Sequence, residues 1–517
     1  MAFAAMQQPL AITWVGRSIS AKSSSGTCRS VVTRRSRVDV ARPISGSRTE
    51  RDVQTRASAT PTEEYSAPLD VVALGNMCVD ILHPPAPIPS PAELKTEKFL
   101  AQLNEGEIGS DVTKWEVGGN CNFLIAASRL GLRAECVGHV GNDATGEFLK
   151  STLAEEGVPL RRLASEDLVK EASKENTFMD KTLLCHVLSD GVGGHAFCSR
   201  YDLGPWPLLS AVHGVDDDAA KSLGKAKAVF INGFVFDELK PSAVKSAVAI
   251  AKANGADVFF DPGPRAFTFV KEGDDSSERK EALDMILSNC DVILATLEEA
   301  AALVDSSDAA NTGYGALGGT AVGGGSEVVV ASGDEGDDGS GSNATATITL
   351  DPATVATQLL RRPGCTADWV VIKCGPDGAS VFTRRGDQVY VGSPSVTVGD
   401  TVGCGDSAAA AVVLGYAKIQ AVKKKLFEAS SGKIAYLPNA KLAAMMEETL
   451  TLATATGAAT ATTKGAGRNV ATVDLVESLL DECVREEESC AGWGVNAAAA
   501  VRAKALLDDS LKKAGKR

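Results

Sequence analysis

No apolar run in this chain approaches the roughly 20 residues of a membrane-crossing helix, so a helical span is excluded. Its twelve cysteines include no Cys-x-x-Cys pair, which leaves neither a zinc site nor a disulfide framework to expect. Most read as small buried residues of a reducing compartment. No Gly-x-x-x-x-Gly-Lys-Ser/Thr loop occurs, so a P-loop phosphate site is ruled out, and protein-kinase signatures are missing too. Positive charge is also in short supply. The formal net charge of −14 argues against nucleic acid and anionic membranes as direct partners.

What remains is a 517-residue chain, 44% apolar and 23% charged, with the balance of a soluble protein that can bury a substantial core. Residues 1–58 differ from the rest. They are rich in Ser, Thr, Ala and Arg, no acidic residue precedes Asp39, and no apolar core of a secretory signal is present. That composition reads as an organelle transit peptide, with chloroplast (plastid stroma) favoured over mitochondrion; a plain N-terminal tail is the alternative.

After residue 67 the pattern alternates. Short continuous apolar runs at Leu69–Leu74, Val229–Ile231, Val258–Phe260, Val292–Leu294 and Val370–Ile372 read as strands buried on both faces. Helix-compatible stretches such as Phe123–Leu130, Ala243–Lys252 and Ala282–Leu287 lie between them. The alternation predicts an α/β fold with a doubly wound, mostly parallel sheet flanked by helices. Ligands of such sheets bind beyond the carboxyl ends of the strands. Residues 304–347 are dominated by Gly, Ala, Ser, Thr and Asp, a composition expected to give a disordered surface insertion rather than a calcium loop. A shorter extra piece near 420–440, carrying Lys423, Lys424 and Lys425, is expected to extend a helix. A C-terminal tail over 481–517 includes an Ala-rich helix at Val495–Leu507.

The most informative stretch is Asp400-Thr401-Val402-Gly403-Cys404-Gly405-Asp406, followed by the small apolar run Ser407 to Val413. Glycines let several amide N–H groups converge on one point, and a helix beginning there adds its partial positive charge. An anion-binding turn with a carboxylate beside it is what phosphoryl transfer requires. A Gly-rich turn with an aspartate N-cap is the plainer alternative.

Three further patterns accompany it: Gly75-Asn76-Met77-Cys78-Val79-Asp80, Gly118-Gly119-Asn120-Cys121-Asn122, and Val140-Gly141-Asn142-Asp143-Ala144-Thr145-Gly146. In this order the four motifs resemble those of the PfkB/ribokinase family of carbohydrate and nucleoside kinases, over about residues 68–480. The resemblance implies a ribokinase-like fold with a small β-sheet lid drawn from segments near 80–116 and 177–200. It implies Asp406 as catalytic base, with Gly403, Cys404 and Gly405 as anion hole. Asp80, Gly118, Gly119 and Asn122 would meet the sugar, and Asp400 would contact substrate or order the loop. Lys373, Gly375 and Gly378, with Gly457 and Gly465, resemble the segments beside ATP; plain glycine turns are the alternative. Glu299, in Thr296-Leu297-Glu298-Glu299, matches the carboxylate of an Asn-x-x-Glu pattern near Mg²⁺, with Thr in place of Asn. Cys404 stands where the family has Ala, as a near-isosteric packing residue; the alternative is a thiol at a helix N-terminus with a lowered pKa, offering a redox brake. Asp261-Pro262-Gly263-Pro264-Arg265 resembles an Asp-Pro-Asn-x-Arg segment with Gly for Asn.

These implications add up to an ATP- and Mg²⁺-dependent kinase, with a monovalent cation such as K⁺ as a further cofactor and a homodimer formed through the lid. Its acceptor would be a hydroxyl of a small sugar or sugar-like molecule. A nucleoside kinase is one alternative, with Phe178, Phe197 and Tyr201 as candidates for a base slot. A non-catalytic scaffold of plastid gene expression is another, disfavoured by the intact Gly403, Gly405 and Asp406.

Overall fold

The computed structural model describes residues 68–106, 111–174, 180–190, 195–203, 206–269, 276–304, 327–331, 345–430, 437–485 and 493–517. Residues 1–58, read as a transit peptide, lie outside them. Fifteen strands occur among the described residues. They are β1 (Val71–Leu74), β2 (Met77–Leu82), β3 (Trp115–Gly119), β4 (Ala134–Gly138) and β5 (Leu160–Arg162). Next come β6 (Leu183–Ser189), β7 (His195–Ser199), β8 (Ala228–Asn232), β9 (Asp257–Asp261) and β10 (Val292–Thr296). The last are β11 (Glu327–Ala331), β12 (Thr345–Thr349), β13 (Trp369–Lys373), β14 (Ala379–Thr383) and β15 (Gln388–Val391).

Nine of these form one sheet in the order β15-β14-β13-β10-β9-β8-β1-β4-β5. Every pair from β5 to β13 is parallel, and β14 and β15 close the edge as an antiparallel hairpin. The inner strands are apolar throughout because helices cover both faces, as the continuous runs predict. The chain starts at β1, builds outward through β4 and β5, then returns to β8 on the other side of β1. That reversal is a topological switch point, and it places a cleft at the carboxyl ends of β1 and β8.

A second sheet, β3-β2-β6-β7, is the expected lid. β2 leaves the end of β1 after only Gly75 and Asn76, and both take left-handed backbone, with φ of 66° and 46°. Asn76 is the one non-glycine residue there among those described, so the chain reverses from main sheet to lid in two residues. The helix Glu97–Glu105 packs Leu100 with Leu94 against Cys198 of β7, covering one side of the lid.

Four helices position the site from behind: α1 (Asn120–Arg129), α2 (Cys404–Ala429), α3 (Asn439–Ala461) and α4 (Ala497–Lys513). α2 begins inside the Gly-x-Gly-Asp motif and runs on through Lys423–Lys425, so the extra piece does extend a helix. α3 carries five threonines on its buried side, and its hydroxyls are satisfied internally. Thr449, Thr456 and Thr460 donate to the carbonyls four residues back at 2.7–3.0 Å. α2 and α3 approach closely at Gly415, where a Cβ would lie 2.2 Å from Thr449 Oγ1.

Three expectations need correction. Within 304–347, β11 and β12 pair as an antiparallel ladder, register Glu327 with Thr349 to Ala331 with Thr345; the other residues after Val304 lie outside the described set. The C-terminal segment is not an appended tail. α4 buries Ala499, Ala503, Leu506 and Leu507 in the main core, and Trp493 donates its indole N–H to the Gly392 carbonyl at 2.7 Å. Cys483 is disulfide-bonded, an exception to the mostly reduced cysteines expected.

Candidate active site

The motif at 400–406 becomes the start of α2. Gly403 precedes the helix with φ 80°, a conformation that points the following amides in one direction. A Cβ there would also press on Val470 and Ala466, at 3.3 and 3.4 Å. Cys404 and Gly405 open the helix, where amide N–H groups lack intrahelical acceptors; that of Cys404 makes a long 3.4 Å bond to the Thr401 carbonyl. Asp406 sits in the first turn. Ser407, the next residue, is tied to Thr460 of α3 by a 2.9 Å hydroxyl–hydroxyl bond, fixing the helix start against its neighbour.

Asn122, in the first turn of α1, donates its side-chain N–H to Asp406 at 3.2 Å and accepts the Gly467 N–H at 2.8 Å. It thereby locks the carboxylate from a helix 284 residues away in sequence. Burial, reinforced by the charge of Asp261, pushes the Asp406 carboxyl up to about 6, with Asn122 and Lys373 pulling the other way. A carboxylate held near neutrality is suited to accept a proton from a hydroxyl.

Asp80, on the lid strand β2, faces Gly118 on β3, where an added Cβ would fall 2.2 Å from its Oδ1. Gly118 is therefore the space that the Asp80 side chain occupies. Gly119, with φ 61°, lets α1 start directly against Asn76, whose carbonyl accepts the Asn120 N–H at 2.8 Å. Burial pushes Asp80 up to about 7, with the charges of Glu116 and Asp406 adding to it against the Cys78 hydrogen bond. Asp80, Asn122 and Asp406 thus converge at one end of the cleft, with Gly118 and Gly119 beneath.

Lys373 ends β13 and reaches Asp261, at the end of β9, with an ion pair of 2.6 Å. Burial lowers the ammonium's pKa, but Asp261 and Glu299 outweigh it and the net shift is upward. A Cβ on Gly405 would lie 3.5 Å from Lys373 Nζ, so this buried cation borders the anion-binding turn. Glu299 is the third residue of the helix Leu297–Ala302 and forms a capping box with Thr296. Its carboxylate accepts the Thr296 N–H at 2.8 Å, and Thr296 Oγ1 accepts the Glu299 N–H at 3.3 Å. Thr296, standing where the resembled pattern has Asn, serves as the N-cap of this helix. Among the described residues no three of His, Cys, Asp and Glu come together as a metal site.

Other sequence-derived roles change. The Asp400 carboxylate is occupied: it accepts from Val402 N at 3.0 Å and Gly465 N at 2.9 Å, and His195 Nε2 of β7 lies 3.3 Å away. These bonds outweigh burial and hold it down at about 2, so Asp400 orders the loop and contacts the lid. Gly465 serves that same anchor with φ 77°. Gly457 lies inside α3, where a Cβ would meet the Cys404 carbonyl at 3.3 Å; it is a helix-packing position, not a loop. Gly375 and Gly378 flank a tight turn after β13 with φ of 55° and 95°. The thiol of Cys404 is pushed up to about 12 by burial and by Asp400 and Asp406, which overturns the lowered pKa expected at a helix start. Of the aromatic residues considered for a base slot, Phe178 lies outside the described residues and Phe197 is exposed. Tyr201 is buried and donates to Glu238 at 3.3 Å.

Sequence reasoning missed the pairing of Lys373 with Asp261, the Glu116–Arg468 ion pair and the buried Glu238, which accepts the Asn76 N–H at 2.5 Å. The available signal for Asp261 was its place directly after the apolar run Val258–Phe260.

Residues 91–173 and 345–473 match the family described as pfkB family carbohydrate kinase. A 5-dehydro-2-deoxygluconokinase of Shouchella clausii is 24% identical over 351 residues, covering 67% of this chain and 82% of that protein. The enzyme of the same name from Geobacillus kaustophilus is 25% identical over 240 residues, 46% of this chain and 61% of its own length. Among solved structures, a putative ribokinase II from E. coli in complex with ATP and Mg²⁺ superposes with a TM-score of 0.49 at 19% identity. That match covers 80% of this chain and 99% of the other.

Proposed function

Given that the chain belongs to the PfkB family of carbohydrate kinases and is a sugar kinase, we propose that it transfers the γ-phosphoryl group of ATP to a hydroxyl of a small sugar. The observation that carries this reading is Asp406. Its carboxylate is raised to about 6, oriented by Asn122, and stands in the first turn of a helix that opens with Gly403 in left-handed conformation. The sugar lies between the lid and the carboxyl ends of β1 and β8, its hydroxyls on Asp80 and Asn122. Asp406 takes the proton of the attacking hydroxyl, whose oxygen bonds to the γ-phosphorus as the bond to the ADP oxygen breaks. The amides of residues 403–405 and the Lys373 ammonium hold the charge of the phosphoryl oxygens as it shifts. Mg²⁺, when bound with ATP, would supply further charge neutralisation, and Glu299 is the residue that would hold its water shell. Gly375 and Gly378 border the nucleotide side.

The N-terminal composition supports a plastid location, to be tested by import of a residue 1–58 fusion. Dependence on K⁺ and dimerisation through the lid belong to the same reading. Exchange of K⁺ for Na⁺ in the assay tests the first, and sedimentation the second. The function itself is tested by ADP production from the chain beginning near residue 59, across a panel of sugars, sugar phosphates and nucleosides. Turnover of one sugar supports the reading. Turnover of nucleosides alone, or ATP binding without turnover of any member, would replace it.

A further inference from the structure

The four lid strands contain neither Lys nor Arg, and neither do the sequences at 107–110, 175–179 and 191–194. What they bring to the cleft is carboxylate: Asp80 on β2 and Glu116 on β3, both buried. Asp406 adds a third from α2. Among the described residues, three cations bordering this region are engaged. Arg468 binds both oxygens of Glu116 through Nε at 3.1 and 3.2 Å, Lys373 binds Asp261, and His195 lies against Asp400. Lys464, on the turn beside Asp400, is exposed.

The hydrogen-bond inventory points the same way. Asn122 donates one amide hydrogen to Asp406, and Asn232, at the end of β8, donates one to Asn120 at 2.8 Å, each keeping a second. The remaining oxygen of Asn232 is buried and has no partner among the described residues. At the switch point the protein therefore offers mainly acceptors, the carboxyl groups of Asp80 and Asp406 and the Asn232 carbonyl, against the second amide hydrogens of Asn122 and Asn232. A buried acceptor without a donor is costly, and a hydroxyl-bearing ligand supplies that donor. A phosphate or carboxylate brings only acceptors and places its charge beside carboxylates in a site with little water, where like charges repel strongly.

Resting on the phosphotransfer reading above, we infer that the acceptor site is built for an uncharged polyhydroxy molecule and rejects sugar phosphates and sugar acids. The site discriminates by charge and by hydrogen-bond polarity before shape. Its selectivity thus differs from what the names of the curated relatives suggest, since 5-dehydro-2-deoxygluconate is a sugar acid.

The test uses charge-matched pairs on the chain from residue 59: ribose with ribose 5-phosphate, fructose with fructose 6-phosphate, and glucose with gluconate, with 5-dehydro-2-deoxygluconate added. kcat/KM is measured for each, and binding is followed separately by calorimetry in the presence of a non-hydrolysable ATP analogue. The expected result is a preference of about a hundred-fold or more for the neutral member of the pair that is used. Glu116→Gln, which removes one carboxylate and frees Arg468, should narrow that preference about ten-fold. Equal or better use of the anionic member, or of 5-dehydro-2-deoxygluconate over every neutral sugar, overturns the inference while leaving the kinase intact. Binding of neutral sugars without turnover sinks the phosphotransfer reading but upholds the selectivity. Tighter binding of anions sinks the selectivity whatever the turnover.

Discussion

Replacing Asp406 by Asn should remove activity and, at the same time, make the protein more stable. The carboxyl titrates at about 6 in the folded chain against an ordinary 3.8, chiefly because it is buried. The folded state therefore holds the proton more tightly than the unfolded state. The stability this lends is complete below about pH 4 and is lost as the pH rises through 6. A pKa difference of about 2 corresponds to about 3 kcal/mol; allowing for water at the open side of the cleft, about 2 kcal/mol is expected above pH 7. Asn keeps the shape and has no charge to bury. In a fold of this size the difference corresponds to a rise of about 1–3 °C in melting temperature. Thermal melts of both proteins between pH 4 and pH 8 provide the assay, with kinase activity measured on the same samples. The gain should be near zero at pH 4 and grow to its plateau by pH 7, while kcat falls by roughly 10²–10⁴-fold. A variant that is less stable at pH 8, or that keeps most of its activity, would refute the reasoning.

Other consequences follow from the same geometry. Lys373→Met leaves Asp261 and Glu299 as buried charges without their cation, and should destabilise the fold by about 3–5 kcal/mol; Asp261→Asn added to it should restore a large part, read by denaturant titration. Gly403→Ala forces a side chain into left-handed backbone against Val470 and Ala466, which should cost about 1–3 kcal/mol and most of the activity. Cys404→Ala should keep kcat within about two-fold and leave sensitivity to mild oxidants unchanged, because a thiol held up at about 12 is almost wholly protonated; loss of oxidant sensitivity in this variant would show the thiol to be reactive after all. In wild-type protein the acid limb of kcat/KM should fall with an apparent pKa near 6, and Asn122→Ala should move it upward, since the Asn122 hydrogen bond is one of the two influences holding Asp406 down.

The main sheet was legible because its strands are buried on both faces, and a run such as Val370–Ile372 has no amphipathic alternative. The anion-binding turn was legible because Gly403 and Gly405 with Asp406 are contiguous. Features assembled from distant segments were not. Asp261, Glu299 and Lys373 come from β9, β10's following helix and β13, and only the strand order brings their side chains together. Asp400 has the residue type of a substrate ligand, yet the lid brings His195 beside it and the 465 turn supplies an amide. Gly457 looked like a loop glycine until α3 was seen to run through it. For Cys404 the sequence suggested the helix dipole, but burial and two neighbouring carboxylates are the stronger influences.

The most direct test of phosphoryl transfer at Asp406 follows the labelled γ-phosphate of ATP into a sugar phosphate, using wild-type protein and Asp406→Asn side by side. Label should pass to a sugar hydroxyl with wild type and not with the variant, whose melting curve stays cooperative. Equal label in both products would place the base elsewhere and contradict the account.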